Sequence, residues 1–320
     1  MNLRKLSLSL IYSMMISVVC SGKATKQIIP AGSKRANPIV MCVTMPKCGT
    51  HLLLKCISLF NVPRMQFPYN RTNALKPTPA KWKKLNALNK FDPPHHYKGP
   101  LHIPTGGPLP QNLRLAFHSN IRDLLSYHLV YSPEAEAFLN KHSKANFLII
   151  RDPRAMLVSM AYMVKDGWHG EHANVEDIIW DFIDGRQKHF IRWGVTVNTG
   201  YPLIWELGVT DFYKLYLPWM KKKNFYTVHF ENLIGAKGGG SDEQQVQEIS
   251  NIAKHIGLSL PIEQIKAVRD QLFGGTATFR EGKISGWQKV FTPEMKAAYK
   301  AVPGANQLLI DLGYEKDTNW

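Results

Sequence analysis

CVTMPKCGTHLLLKC, residues 42–56, changes character at its centre. It begins inside the apolar run IVMCVTM (39–45) and turns at Pro46. It then passes Lys47, Cys48, Gly49, Thr50 and His51 and becomes apolar again from Leu52. A short continuous apolar run reads as a buried strand, and the apolar stretch after the turn reads as a helix. A lysine and a glycine between such a strand and helix fit an anion site. The first N–H groups of a helix have no intrahelical partner, and its dipole favours negative charge at that end. Gly49 lets the backbone approach closely, Thr50 offers a hydroxyl, and Lys47 brings a full charge.

The loop is P-loop-like, but its lysine precedes the glycine, unlike GxxxxGK[ST]. A magnesium–nucleotide enzyme also wants an acidic metal ligand after a strand. The candidate, Asp152, is flanked by Arg151, Pro153 and Arg154, which makes a poor cation site and a good anion site. The anion is therefore read as a phosphate or sulfate bound without metal.

Further along, the chain alternates strands and helices. Strands are predicted at 113–119, 146–151 and 224–230. Helices are predicted at 133–144, with Pro133 in the first turn, and at 153–167, with proline first and glycine last. Another, capped by Ser241 or Asp242, follows the loop AKGGG. This alternation predicts an α/β fold: a single domain with a central, mostly parallel sheet flanked by helices and a P-loop-like strand–loop–helix anion site. Ten of the 20 prolines fall between 61 and 110, so residues 61–112 read as loop-rich, with one helix near PAKWKKLNALNKF. That segment and the aromatic stretch 167–185 are candidate walls of a substrate pocket.

Forty Lys plus Arg against 24 Asp plus Glu give the chain a net charge of +16, which favours anionic partners. The basic residues are dispersed, without a basic arm, zinc-finger spacing or RNA-binding aromatic signature, so nucleic acid is not expected. The four cysteines, at 20, 42, 48 and 56, form no CxxC pair, which argues against a disulfide framework or zinc site. Cys42 and Cys56 read as buried small hydrophobes. Cys48 is either a reactive thiol or a small residue tolerated beside Gly49. His169 and His172 have HxxH spacing but no third ligand, so no metal site is expected. The basic MNLRK followed by the uncharged LSLSLIYSMMISVVC makes residues 1–22 a signal peptide or short anchor. A linker is expected at 23–37 and the domain at 38–320. The protein is thus expected to be exported or membrane-anchored, and otherwise cytoplasmic.

Two further segments carry chemistry. In FLIIRDPRAMLVSM (147–160) a buried strand ends at Arg151 and a helix carrying Ser159 begins at once. Arg151 can take a phosphate in bidentate fashion or pair with a carboxylate. TFREGKISGWQKVFTPE (278–294) has the composition of a phosphate clamp, or of a surface loop.

Together and in this order, the three segments resemble the PAPS-dependent sulfotransferase family (PAPS is 3′-phosphoadenosine-5′-phosphosulfate). Pro46, Lys47, Gly49 and Thr50 match the family's YPKSGTTW-like motif. Arg151, Pro153, Val158 and Ser159 match the second motif. Arg280, Gly282, Trp287, Phe291 and Thr292 match the third. The resemblance implies that Lys47, Cys48, Gly49, Thr50 and His51 surround the 5′-phosphosulfate. It implies that Arg151, Ser159, Arg280, Glu281 and Gly282 surround the 3′-phosphate. The family's catalytic base is a histidine in an HLP segment; YHLVYSPEAE offers His128, and His118 competes. Lys47 is implied to stabilise the leaving group. FENL (230–233) is similar to the family's YEDL. The chain departs from the family at Leu52 (Trp in many members), Phe230 (Tyr), Ser126 and Tyr127 (Lys-Thr) and Glu281 (Lys). The implied activity is metal-independent sulfuryl transfer to a small-molecule, lipid or glycan acceptor. The rival readings are a nucleotide kinase and an exported, non-catalytic polyanion-binding protein.

Overall fold

The computed structural model describes residues 40–60, 124–167, 174–184, 204–276 and 279–320. All of them lie in one compact unit, Asn37–Trp320. The amino-terminal signal and linker, the expected strand at 113–119, the proline-rich 61–112 segment, His118, and the pair His169 and His172 lie outside the described residues.

Among the described residues four parallel strands form the sheet: β1 (Val40–Thr44), β2 (Leu124–Tyr127), β3 (Ala145–Ile150) and β4 (Phe225–His229), in the order β2-β1-β3-β4. Every residue of β1 and β3 is buried, because helices cover both faces. This is why these strands read as continuous apolar runs rather than alternating ones. Alternation still decides which layer each side chain enters. Met41, Val43, Leu148 and Ile150 pack in one core with α3 (Pro153–Gly167), α4 (Val175–Asp184) and α5 (Ile204–Lys214). Val40, Cys42, Phe147 and Ile149 pack in the other with α1 (Thr50–Leu59), α6 (Phe230–Ile234), α7 (Asp242–Ile256) and α8 (Ile262–Leu272). Two further helices, α9 (Pro293–Ala301) and α10 (Ala305–Asp311), join the first layer.

Local chemistry sets the helix starts. Ser132 accepts the Ala135 N–H ahead of α2 (Pro133–His142), and Pro133 occupies the first turn. Ser241, of the two candidates, caps α7 by accepting from Gln244 N–H. The strands at 146–151 and 224–230 and the helices at 133–144 and 153–167 are found within a residue or two of their expected ends. β2 was not foreseen: LLSY is four residues long, only half buried, and carries no turn signal at its ends. Among the described residues no helix is long and apolar enough to cross a membrane.

Strand order positions the site. Among the described strands, β2 lies on one side of β1 and β3 on the other, so the direction of winding reverses between β1 and β3. Ligands of such sheets bind at that reversal, beyond the strands' carboxyl ends. Each of the four strands ends in a candidate residue or its neighbour: Thr44 before the lysine loop, Tyr127 before His128, Ile150 before Arg151, and His229 before Phe230 and Glu231.

Candidate active site

The loop after β1 has the expected shape. Cys48 N–H donates to the Met45 carbonyl at 3.2 Å. Lys47 has φ 63° and Gly49 φ 108°, both left-handed. Left-handed residues in such a turn point successive N–H groups inward and make an anion-binding concavity. Gly49 is also the N-cap of α1; it has no capping side chain, and the first turn holds no acidic residue. Thr50 and His51 are the first two residues of α1 and are half-buried. A Cβ on Gly49 would come within 2.7 Å of the Phe230 ring and 3.0 Å of Ile149.

Arg151 binds the three segments together. Its Nη1 donates to the Lys47 carbonyl at 3.3 Å, and its Nη2 to the Lys283 carbonyl at 3.1 Å. Its guanidinium lies 4.2 Å from the centre of the Phe230 ring. Burial lowers the Arg151 pKa, and the charge of Glu231 opposes that shift. Tyr213 supports the same junction from below, donating to the Arg151 carbonyl at 2.7 Å while its hydroxyl sits 3.7 Å from Cys48 Sγ.

Two sequence alternatives are resolved here. Asp152 does not pair with Arg151; it takes Arg154, at 3.0 and 2.8 Å. Arg154, counted in the sequence among the charges flanking an anion site, is not available to an anion: it also binds Glu315 at 2.6 Å. It is 2 % exposed, and its guanidinium lies 4.0 Å from the ring of Trp287 and 4.4 Å from that of Trp320. Cys48 is not a reactive thiol. It is fully buried, and burial pushes its pKa up to about 12.

Glu231, in the FENL segment, accepts the Asp152 N–H at 2.9 Å and the Tyr314 hydroxyl at 3.1 Å. Burial pushes its carboxyl up to about 7, opposed by the Asp152 N–H. The third segment is fixed by Arg151 on one side and by the Ile284 N–H donating to the Gly238 carbonyl at 3.0 Å on the other. Gly282 turns there with φ 63°. Arg280 stacks 3.9 Å from the ring of Tyr162, one turn along α3 from Ser159, and so lies over that face of the helix. Its Nη1 meets Glu281 at 2.7 Å on the surface. Lys283 turns away to the Lys237 carbonyl at 2.6 Å.

His128 follows β2 directly. Its Nδ1 lies 2.7 Å from the Thr44 carbonyl oxygen and 2.9 Å from Thr44 Oγ1. The Trp219 indole N–H holds the next carbonyl, that of Leu129, at 2.9 Å. The lysine loop, His128 and Arg151 therefore follow the carboxyl ends of β1, β2 and β3, and the third segment is tied to the same end through the Lys283 carbonyl, while Ser159 lies two turns into α3. Sequence reasoning missed Thr44, Tyr213 and the tryptophan enclosure of Arg154. Thr44 looked like any β-branched strand residue, and the other two depend on partners far along the chain. Among the described residues no three His, Cys, Asp or Glu side chains converge as a metal site.

A parallel α/β sheet with a lysine-bearing, glycine-turned loop at its winding reversal has the form of a P-loop-like anion site. The family described as the sulfotransferase domain matches residues 37–308, and the chain belongs to that family. A search of curated proteins returned no match. Among solved structures, the chain is similar to mouse sulfotransferase SULT7A1 complexed with PAP, at 14% identity and a TM-score of 0.53, covering 88% of each chain. That likeness bears on the fold, which is the one the sequence predicts.

Proposed function

We propose that this sulfotransferase takes its sulfuryl group from PAPS and passes it to a hydroxyl or amine, with His128 as base and no metal ion. The observation that carries the reading is Arg151, whose two hydrogen bonds draw the lysine loop and the third segment around one cation. The residues present suit a doubly anionic adenylate. The loop after β1 offers backbone N–H groups, Lys47 and Thr50. The start of α3 and the third segment offer Arg151, Ser159 and Arg280. The similarity to a fold solved with PAP agrees with this assignment. Asp152, the carboxylate placed where a nucleotide enzyme would hold magnesium, is occupied by Arg154.

PAPS, when bound, supplies a sulfuryl group already activated by its bond to phosphate. The protein's share is positioning and charge. Lys47 faces the charge that grows on the bridging oxygen. The Thr44 carbonyl accepts from Nδ1–H, which leaves the Nε2 lone pair of His128 to take the acceptor proton. The acceptor is read as a small molecule, lipid or glycan. Residues 1–22 are read as an export signal or anchor.

Calorimetry with 3′,5′-adenosine bisphosphate, followed by an acceptor screen with labelled PAPS, tests the reading. Wild type binds the bisphosphate. Lys47→Ala loses both binding and transfer. His128→Ala keeps binding and loses transfer by about 10²- to 10⁴-fold. Folded protein that ignores the bisphosphate would refute the donor assignment. Bisphosphate binding that persists in Lys47→Ala, or full transfer by His128→Ala, would refute the residue roles.

A further inference from the structure

Thr44 presents two oxygens to one nitrogen of His128. Both lie at hydrogen-bonding distance, the carbonyl at 2.7 Å and the hydroxyl at 2.9 Å. A carbonyl oxygen only accepts, so the proton sits on Nδ1 and, in the neutral ring, the lone pair sits on Nε2. With the carbonyl fixing that proton, the hydroxyl oxygen is left in position as a second acceptor. The register explains the placement: Val43 pairs with Tyr127, so the next step along both chains sets Thr44 beside His128. Thr44 is fully buried and ends β1, three residues before Lys47. One strand end thus carries the support for the base and leads directly into the loop that faces the leaving group.

We propose that Thr44 is a positioning residue for sulfuryl transfer: its carbonyl holds the His128 ring in the Nδ1–H tautomer, and its hydroxyl shares that proton once Nε2 is protonated. This rests on the reading of His128 as the base. In the step it serves, the acceptor's proton passes to Nε2, and the electron pair it leaves forms the new bond to sulfur. The bond from sulfur to the bridging phosphate oxygen breaks, and its electrons depart with the bisphosphate. The ring is then a cation with N–H on both nitrogens. Nδ1–H already faces two oxygens, so no backbone need move to receive the charge.

The test compares wild type with Thr44→Val, which keeps the branched shape, Thr44→Ser, which keeps the hydroxyl, and Thr44→Ala, a second hydroxyl-free form. Long-range nitrogen–proton spectra of ¹⁵N-histidine-labelled protein, recorded across pH, report the tautomer and the titration of the ring, and the His128 signal is identified by its loss in His128→Gln. All four forms are expected to show the Nδ1–H tautomer, because each keeps the backbone carbonyl, and the His128 titration is expected to move to lower pH in Thr44→Val and Thr44→Ala but not in Thr44→Ser. With the best acceptor from the screen, kcat falls about tenfold in the hydroxyl-free variants. The bisphosphate Kd stays unchanged, and Thr44→Ser restores kcat. An unchanged or raised His128 titration pH in both hydroxyl-free variants overturns the proposal, as does a Thr44→Ser loss equal to that of Thr44→Val. Full turnover by His128→Ala, run alongside, instead strikes the base assignment, and the spectra still judge Thr44's hold on the ring.

Discussion

Lys47 and Gly49 show how a few backbone angles create chemistry. A non-glycine residue at φ 63° is uncommon and stores strain of about 1–3 kcal/mol, held in place by the loop's packing. Gly49 is constrained twice, by its own φ of 108° and by the Phe230 ring that a Cβ would strike. Gly49→Ala is expected to cost roughly 1–3 kcal/mol of stability and to weaken bisphosphate binding, as read by thermal melting and calorimetry. Adding Phe230→Ala should recover only the steric part, and a double-mutant cycle separates the two. Full recovery would mean that φ at Gly49 carries no strain. The glycine was legible because its type and place follow from local rules alone. Thr44 was not, since nothing local distinguishes a strand threonine that faces a histidine from one that packs in the core. The same holds for Arg154, whose neighbours in sequence suggested an anion and whose neighbours in space are two carboxylates and two indoles.

The turn from β3 into α3 is the element on which the site's alignment depends. Asp152 caps α3 through the Arg154 N–H, binds the Arg154 side chain, and is itself held by Glu231 through its own N–H. Arg154→Met would leave Asp152, 6 % exposed, without its cation. Breaking a buried pair from one side costs about 3–5 kcal/mol, so urea denaturation should show a loss of that size. Bisphosphate affinity should fall as well, because Arg151 leads into the same turn. A loss under 1 kcal/mol, measured against the usual surface-pair scale of about 0–1 kcal/mol, would show that the enclosure does little. The sequence revealed α3 through its proline start and glycine end, and β3 through its apolar run. β2 stayed hidden because four residues carry too little pattern to register, although that strand is what brings His128 to the sheet edge.

Taken whole, the molecule combines a strongly basic composition with buried carboxylates. Glu248, 5 % exposed on α7, accepts the Tyr226 hydroxyl on Oε2 at 3.2 Å, and burial pushes its carboxyl up to about 7. A carboxyl whose folded pKa is raised favours the folded state most below its unfolded pKa. That advantage disappears as the pH climbs through the folded value. Glu248→Gln and wild type should therefore differ least in stability near pH 5. The variant should gain relative to wild type by roughly 1–3 kcal/mol between pH 5 and pH 8, in denaturant titrations at several pH values. A constant difference across that range would mean that Glu248 stays charged throughout.

The indole of Trp320 closing over Arg154 has a consequence during synthesis. The groups around this turn come from separate stretches of the chain, and a ring that covers that guanidinium is translated long after the arginine itself. Long-range contacts of this kind form late. A nascent polypeptide still on the ribosome carries a bare Arg154 cation, and its pair with Asp152 gains the second indole cover only when that downstream stretch emerges and docks.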